Sequence, residues 1–285
     1  MIARADYETL RAVLLANSGH HLEDGKEYLV ERRLESVAGS LGFRDLTGLV
    51  GHLRNTADPR VTKLVCEAMT TNESLFFRDG RPFDVLKERI LPEILERRQS
   101  SRRLRIWSAA CSTGQEPYSL AMLLADYRPS LAGWTLEILG TDYSPKVIER
   151  AREGLFNHFE VQRGLPIQLL IKHFDQKDGN NWRVKEPIRR MVGFREQNLM
   201  DPFRHLGMFD IVFCRNVLIY FHEHGKRDVL ERMAPVVAPD GYLFLGSAET
   251  ALGVTSTWRP VVGAATTLFQ RAPADAMIGD RRATA

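Results

Sequence analysis

The chain has 285 residues, 44% of them hydrophobic and 26% charged, a balance that fits a globular protein with a full-sized core. Its net charge of +3 is too mild to argue for nucleic acid, and its three cysteines, Cys66, Cys111 and Cys214, stand too far apart for a disulfide framework or a zinc site. The N-terminus has no apolar signal core and no apolar run approaches the length of a membrane helix, so a cytoplasmic protein without direct membrane insertion is expected.

From Tyr7 to about Thr70 apolar residues recur at helical spacing: Tyr7, Leu10, Val13 and Leu14, then Tyr28, Leu29, Leu34 and Val37, then Leu46, Leu49, Val50 and Leu53, then Val61, Leu64, Val65 and Met69. Gly42, Asp45 and the breaker Ala57-Asp58-Pro59 punctuate these segments, which predicts an all-α domain over residues 1–70. The polar stretch 70-TTNESLFFRDGRPFDVL-86 leads into a helix over Phe83–Arg98. Arg97, Arg98, Arg102, Arg103 and Arg105 crowd the end of that helix and read as a solvated helix end and loop, not as a nucleic-acid surface.

Beyond Leu104 the texture changes. Short β-rich runs at Leu104–Trp107, Thr135–Leu139, Val192–Arg195, Phe209–Phe213, Tyr242–Leu245 and Thr266–Arg271 alternate with helical segments, which predicts a parallel α/β sheet over residues 71–271. About forty residues between Ala151 and Val192 break the alternation, and Asp178-Gly179 flanked by extended residues is a hairpin signal. A small antiparallel β-subdomain inserted at about 155–190 is therefore predicted, and the tail 272–285 is expected to be disordered.

The first strand breaks into Ala109-Ala110-Cys111-Ser112-Thr113-Gly114 before a helix begins. Small residues in the first strand-to-helix turn of an open α/β sheet let a cofactor approach the backbone, and an acid after the next strand takes the ribose hydroxyls. Asp142 in 139-LGTDYS-144 stands in that place, although it also fits a turn residue capping the helix that starts near Pro145. The loop lacks both G-x-G-x-x-G and G-K-[ST], so a nucleoside cofactor without a pyrophosphate suits it best. S-adenosylmethionine is such a molecule, and Glu116 at the mouth of the helix is placed to hold its ammonium group. Cys111 reads as one more small buried residue. His222 and His224 have no third ligand by spacing, so no metal is expected.

These segments, taken with 209-FDIVFCRNVLIYF-221, resemble the CheR family of chemotaxis receptor methyltransferases over nearly the whole chain to about Arg271. The resemblance rests on 70-TTNESLFFRD-79, 108-SAACSTGQEPYSLA-121, 140-GTDYS-144, 197-QNL-199, 214-CRNVLIYF-221 and 239-PDGYLFLGSAE-249, all in family order. It implies a Rossmann-like S-adenosylmethionine methyltransferase domain with an inserted β-subdomain, preceded by a helical domain. It implies that Asn72, Ser74 and Arg78 border the cofactor, that Glu116 serves its amino acid end and Asp142 its ribose, that Asn198 and Leu199 lie on the adenine side and Arg215 and Asn216 at the strand end beneath. Tyr220 matches the aromatic near the transferring methyl. The implied reaction esterifies glutamates on the cytoplasmic helices of methyl-accepting chemoreceptors and leaves S-adenosylhomocysteine.

A surface glutamate has a pKa of about 4.3 and is ionised at neutral pH, so the proposed step needs no general base, and positioning by Arg78 and Tyr220 is the work that remains. Two departures from the family pattern stand out. The second helix, 26-KEYLVERRLESVAGSLGF-43, keeps Lys26, Arg32 and Arg33 but thins the basic face beyond them. The loop 175-DQKDGNNW-182 has a single glycine where tethering members are glycine-rich, so no dependence on a receptor C-terminal pentapeptide is expected. Gln115 replaces a second acid and is expected to be tolerated. A small-molecule methyltransferase and a non-catalytic sensor of S-adenosylmethionine or S-adenosylhomocysteine are the alternatives, and a monomer is expected.

Overall fold

Two of the N-terminal helices start on aspartate. Asp45 accepts a hydrogen bond from Gly48 N at 2.8 Å to begin α3 (Leu46–Asn55), and Asp58 accepts from Arg60 N at 3.0 Å to begin α4 (Pro59–Met69), whose first residue needs no donor because it is proline. With α1 (Arg4–Ser18) and α2 (Glu27–Ser40) they enclose a hydrophobic cluster of their own, including Tyr7, Leu10, Leu34, Leu49, Val65 and Cys66. Tyr28 and Leu64, which share the helical spacing, point outward and are 63% and 41% exposed. The computed structural model describes residues 2–127 and 131–273, so the tail expected to be disordered lies, from residue 274 on, outside the described residues.

The helix expected over Phe83–Arg98 is built in three pieces: α5 (Arg81–Val85), a π turn (Leu86–Ile90) and α6 (Leu91–Arg97). Pro92 explains the irregularity, since it has no N–H to offer Glu88 and its ring crowds that carbonyl. β1 (Arg103–Ala109) and α7 (Gln115–Asp126) follow, then β2 (Thr135–Asp142), α8 (Pro145–Glu153), β3 (Leu155–Asn157), α9 (His158–Gln162) and α10 (Ile167–His173). Next come β4 (Phe174–Gln176), β5 (Asn181–Val184), α11 (Glu186–Arg189), β6 (Val192–Glu196) and β7 (Phe209–Cys214). α12 (Glu223–Met233), β8 (Val237–Leu245), β9 (Trp258–Pro260) and β10 (Leu268–Arg271) complete the order.

Among the described residues the main sheet has seven strands in the order β6-β2-β1-β7-β8-β10-β9, parallel from β6 to β8 and antiparallel at the β10 and β9 edge. Successive side chains on a strand face opposite ways, so Ile106, Ile211 and Phe213 join the cluster with α5–α7 while Trp107 and Val212 join the one with α12. The fold is thus the expected Rossmann-like α/β sheet, with the small antiparallel sheet β3-β5-β4 inside the predicted insertion. The insertion also contains the helices α9 and α10, and β9 was not anticipated.

Arg97, Arg102 and Arg103 of the arginine cluster are exposed as expected, whereas Arg98 and Arg105 are half-buried. Arg98 pairs with Asp210 at 2.8 Å and Asp240 at 2.6 Å, Arg97 with Glu93 at 2.9 Å, and Arg105 with Glu137 at 2.7 Å. Arg103 also reaches Glu137, at 3.2 Å. Glu93 lies one helical turn from Arg97 on α6, but Glu137, Asp210 and Asp240 come from β2, β7 and β8, which a reading of local spacing cannot see. No helix among the described residues is long and apolar enough to cross a membrane.

Candidate cofactor and active site

The carboxyl ends of β1, β2 and β7 open into one cleft, as expected for an open α/β sheet. All ten residues singled out in the sequence line it. Asn72, Ser74 and Arg78 come from the stretch ahead of α5, Glu116 from α7 and Asp142 from β2, while Asn198, Leu199, Arg215, Asn216 and Tyr220 come from the loops after β6 and β7. Ala110, Cys111 and Ser112 complete the floor.

At one end of the cleft Asp142 is 7% exposed and accepts backbone N–H groups from Ser112 at 2.9 Å and Ser144 at 3.2 Å. Burial pushes its carboxyl above the usual range, against the stabilising pull of those peptide donors. Asp142 does not cap the next helix; Ser144 Oγ does, accepting from Val147 N at 3.4 Å. With only peptide donors on its two oxygens, the carboxylate keeps acceptor capacity for a vicinal diol.

The other end is built on Arg215, whose side chain is 1% exposed. It donates to Glu116 Oε2 at 2.9 Å, Asp79 Oδ2 at 2.7 Å and the Arg78 carbonyl at 2.8 Å, and Ser108 Oγ donates to Glu116 Oε1 at 2.7 Å. The buried Arg215 Nε has no hydrogen-bond partner among the described residues. Among the described residues Arg78 itself reaches only the Glu73 carbonyl, at 3.4 Å, which leaves this cleft-lining guanidinium with donors to spare.

Three of the strained backbone positions line the cleft. Ala110, Ser112 and Asn216 have φ of 56°, 50° and 58°, and Phe77 and Asp79, at 48° and 67°, flank Arg78. Non-glycine residues in the left-handed region cost on the order of 1–3 kcal/mol each and are kept where a site requires them. Ser112 Oγ ties the floor to the Asn72 carbonyl at 2.7 Å.

Several lining groups escaped the sequence reading. His20, between α1 and α2, pairs with Phe221 as an isolated bridge and lies 5.7 Å from the Tyr220 ring, and His21 N donates to the Tyr220 carbonyl at 2.7 Å. Gly19 permits this crossing: a Cβ there would come within 2.2 Å of the Phe221 ring, and its φ is +70°. Burial pushes the His20 imidazole down to about 4, with Arg33 and His21 adding repulsion. Arg33, expected on an open basic face, instead donates to the Met69 and Thr70 carbonyls at 2.7 and 3.0 Å. The Asn198 side chain donates to the Asn17 carbonyl at 2.7 Å and accepts from Met200 N at 3.0 Å. The N-terminal helices therefore roof the cleft through two separate links, at Tyr220–Phe221 and at Asn198.

Cys111 is fully buried, and burial beside Asp142 and Glu116 pushes its thiol far up, a state that suits a wall residue and not a nucleophile. Gln115 is 2% exposed and accepts from Thr113 Oγ1 at 2.8 Å, away from the cleft. His222 caps α12, accepting from Gly225 N at 3.3 Å, and His224 lies beside Asp228 at 3.4 Å. No cluster of metal-binding side chains occurs among the described residues.

The donor set fits S-adenosylmethionine: an acid for a diol at one end, and at the other an acid and a buried guanidinium nitrogen without a partner among the described residues. Fold and cleft define a Rossmann-like α/β protein with a nucleoside site of this kind. The chain belongs to the CheR methyltransferase family. The family model for the CheR methyltransferase S-adenosylmethionine-binding domain matches residues 72–266, and the model for the CheR all-alpha domain matches residues 5–70. Chemotaxis protein methyltransferase 1 of Pseudomonas aeruginosa is 44% identical over 250 residues, covering 87% of this chain and 90% of that protein. Chemotaxis protein methyltransferase Cher2 of Pseudomonas putida is 41% identical over 261 residues, covering 90% and 94%. A chemotaxis protein methyltransferase of Vibrio anguillarum is 37% identical over 262 residues, covering 91% and 94%.

Proposed function

We propose that this protein transfers a methyl group from S-adenosylmethionine to glutamate side chains on the cytoplasmic helices of chemoreceptors, forming methyl esters and S-adenosylhomocysteine. The observation that carries the reading is the convergence of Asp142, Glu116, Arg215 and Arg78 on one cleft in a member of the CheR family. The cofactor would supply an electrophilic methyl on a sulfonium. Asp142 would hold the ribose hydroxyls, and Glu116, already fixed by Arg215 and Ser108, would hold the ammonium. Arg78 would receive the carboxylate in a bidentate contact, and the Tyr220 ring would face the methyl. No side chain has to take a proton, because the glutamate arrives ionised. The N-terminal helices that roof the cleft would exclude water, which favours a step in which opposite charges cancel.

The N-terminal residues 1–70 would then serve both as roof and as receptor contact, and residues 71–271 as the transferase proper, working in the cytoplasm. A tethered receptor pentapeptide is not required in this reading. In its support, the turn joining β4 to β5 is short and closed on itself, with Lys177 N donating to the Asn181 carbonyl at 2.8 Å and Gln176 Nε2 to the Gly179 carbonyl at 3.1 Å. The test is transfer of labelled methyl from S-adenosylmethionine to chemoreceptor-rich membranes, followed by mild alkali. Release of the label as methanol is expected. Cofactor binding without transfer would move the assignment to a sensor or a small-molecule enzyme.

A further inference from the structure

Glu249 follows β8, is 7% exposed, and lies outside the lining of the cleft. Its carboxylate gathers four peptide N–H groups: Oε2 accepts from Asn216 at 2.7 Å and Gly246 at 2.6 Å, and Oε1 from Val217 at 2.9 Å and Ile219 at 3.3 Å. Three of these donors belong to the segment after β7 that delivers Arg215, Asn216 and Tyr220 to the cleft. Apart from a single 3-10 turn at Leu218–Tyr220 that segment has no regular structure, and Asn216 holds φ of 58°. A buried irregular segment must find acceptors for its N–H groups elsewhere, and hydrogen bonds to a charged acceptor are about twice as strong as neutral ones.

We propose that Glu249 is a positioning residue for methyl transfer: its carboxylate is the template on which residues 215–220 fold, and it thereby sets Arg215, Asn216 and Tyr220 against the cofactor. The effect on catalysis rests on the function proposed above; the effect on the loop does not. The chemistry makes a sharp distinction. An ionised carboxylate only accepts, so each oxygen can serve two converging donors. Glutamine has the same shape but turns one oxygen into a donor. Whichever way its amide is flipped, an NH2 group faces either Asn216 N and Gly246 N or Val217 N and Ile219 N. If Glu249 merely filled space, Glu249→Gln would be silent. Gly246 meets the same node from the other side, since a Cβ there would lie 2.5 Å from Glu249 Oε2 and 2.9 Å from Asn216 N.

The test compares wild type with Glu249→Gln, Glu249→Asp and Gly246→Ala. Amide hydrogen exchange, S-adenosylhomocysteine affinity by calorimetry, and kcat and KM for receptor membranes are measured well below the melting temperature. Glu249→Gln is expected to lose at least tenfold protection at residues 216–219 with the sheet strands unchanged. Its kcat should fall about a hundredfold, as for a catalytic group displaced by about an ångström, while KM for the receptor moves less than threefold. Glu249→Asp, which keeps the charge, should recover part of the rate. Wild-type protection and a kcat within threefold of wild type in Glu249→Gln would overturn the proposal. So would loss spread evenly over the sheet with kcat per folded molecule intact. If Glu249→Gln does not fold, Gly246→Ala decides by the same criteria. If wild type transfers no methyl, the proposed function fails, and the template role is still decided by exchange at residues 216–219 together with S-adenosylhomocysteine affinity.

Discussion

Replacing Arg215 with methionine should separate stability from cofactor binding. The guanidinium is 1% exposed and partners Glu116, 13% exposed, and Asp79, 38% exposed. Methionine fills much of the volume but leaves Glu116 with the Ser108 hydroxyl as its remaining partner. Removing one member of a buried pair costs about 3–5 kcal/mol, mostly through the stranded charge. Asp79 can rehydrate, so the lower end, about 3 kcal/mol, applies here. At roughly 2–4 °C per kcal/mol for a chain near this size, the melting temperature should drop by roughly 6–12 °C. Arg215→Met combined with Glu116→Gln removes the stranded charge and should recover more than half of that drop. S-adenosylhomocysteine affinity should fall in the double variant even as its stability recovers, because Glu116 is the group assigned to the ammonium. Scanning calorimetry and titration calorimetry on the three proteins check this. A melting temperature for Arg215→Met within 2 °C of wild type, or a double variant no more stable than the single, would refute the reasoning.

Other perturbations bear on the same cleft. In the proposed binding mode ribose hydroxyls donate to the ionised form of Asp142, whose folded pKa is raised, so S-adenosylhomocysteine affinity should fall as pH drops through that raised value; Asp142→Asn should bind weakly at pH 7 and lose the pH step in titration calorimetry. His20 has a folded pKa of about 4 against an ordinary 6.5, so the stability it contributes is complete above pH 6.5 and is lost as pH falls toward 4. Urea unfolding at pH 7 and pH 5 should show His20→Phe losing roughly 2 kcal/mol less than wild type over that interval. Arg78→Ala should lose methyl transfer by a hundredfold or more with less than a tenfold loss of S-adenosylhomocysteine affinity; equal, small losses in the two assays would favour a sensor.

How much of this could be read from the sequence depends on the range over which each residue acts. The strands β1, β2, β6, β7, β8 and β10 were legible because each is a short apolar run whose burial is repeated along its own length. The small-residue loop after β1 and the acid after β2 were legible for a similar reason: a cofactor site at the ends of parallel strands imposes a local pattern on each strand end. β9 was not, being three residues long at the sheet edge and ending in proline. The charged residues divide most clearly. Arg98 looked solvated because its chain neighbours are polar, yet it is paired with Asp210 and Asp240, 112 and 142 residues away. Glu249 sits in a motif that pointed to the family, but nothing within a few residues of it distinguishes a surface glutamate from one that collects N–H groups 30 to 33 positions back along the chain. Parallel sheets bring distant loops to one edge, so in this fold many of the groups that shape the cleft are remote in sequence from those that line it. A local reading therefore finds the lining at the strand ends and misses both its supports and the lining brought in by the other domain, which is why Glu249 and His20 became visible only when the loops after α1, β7 and β8 were seen side by side.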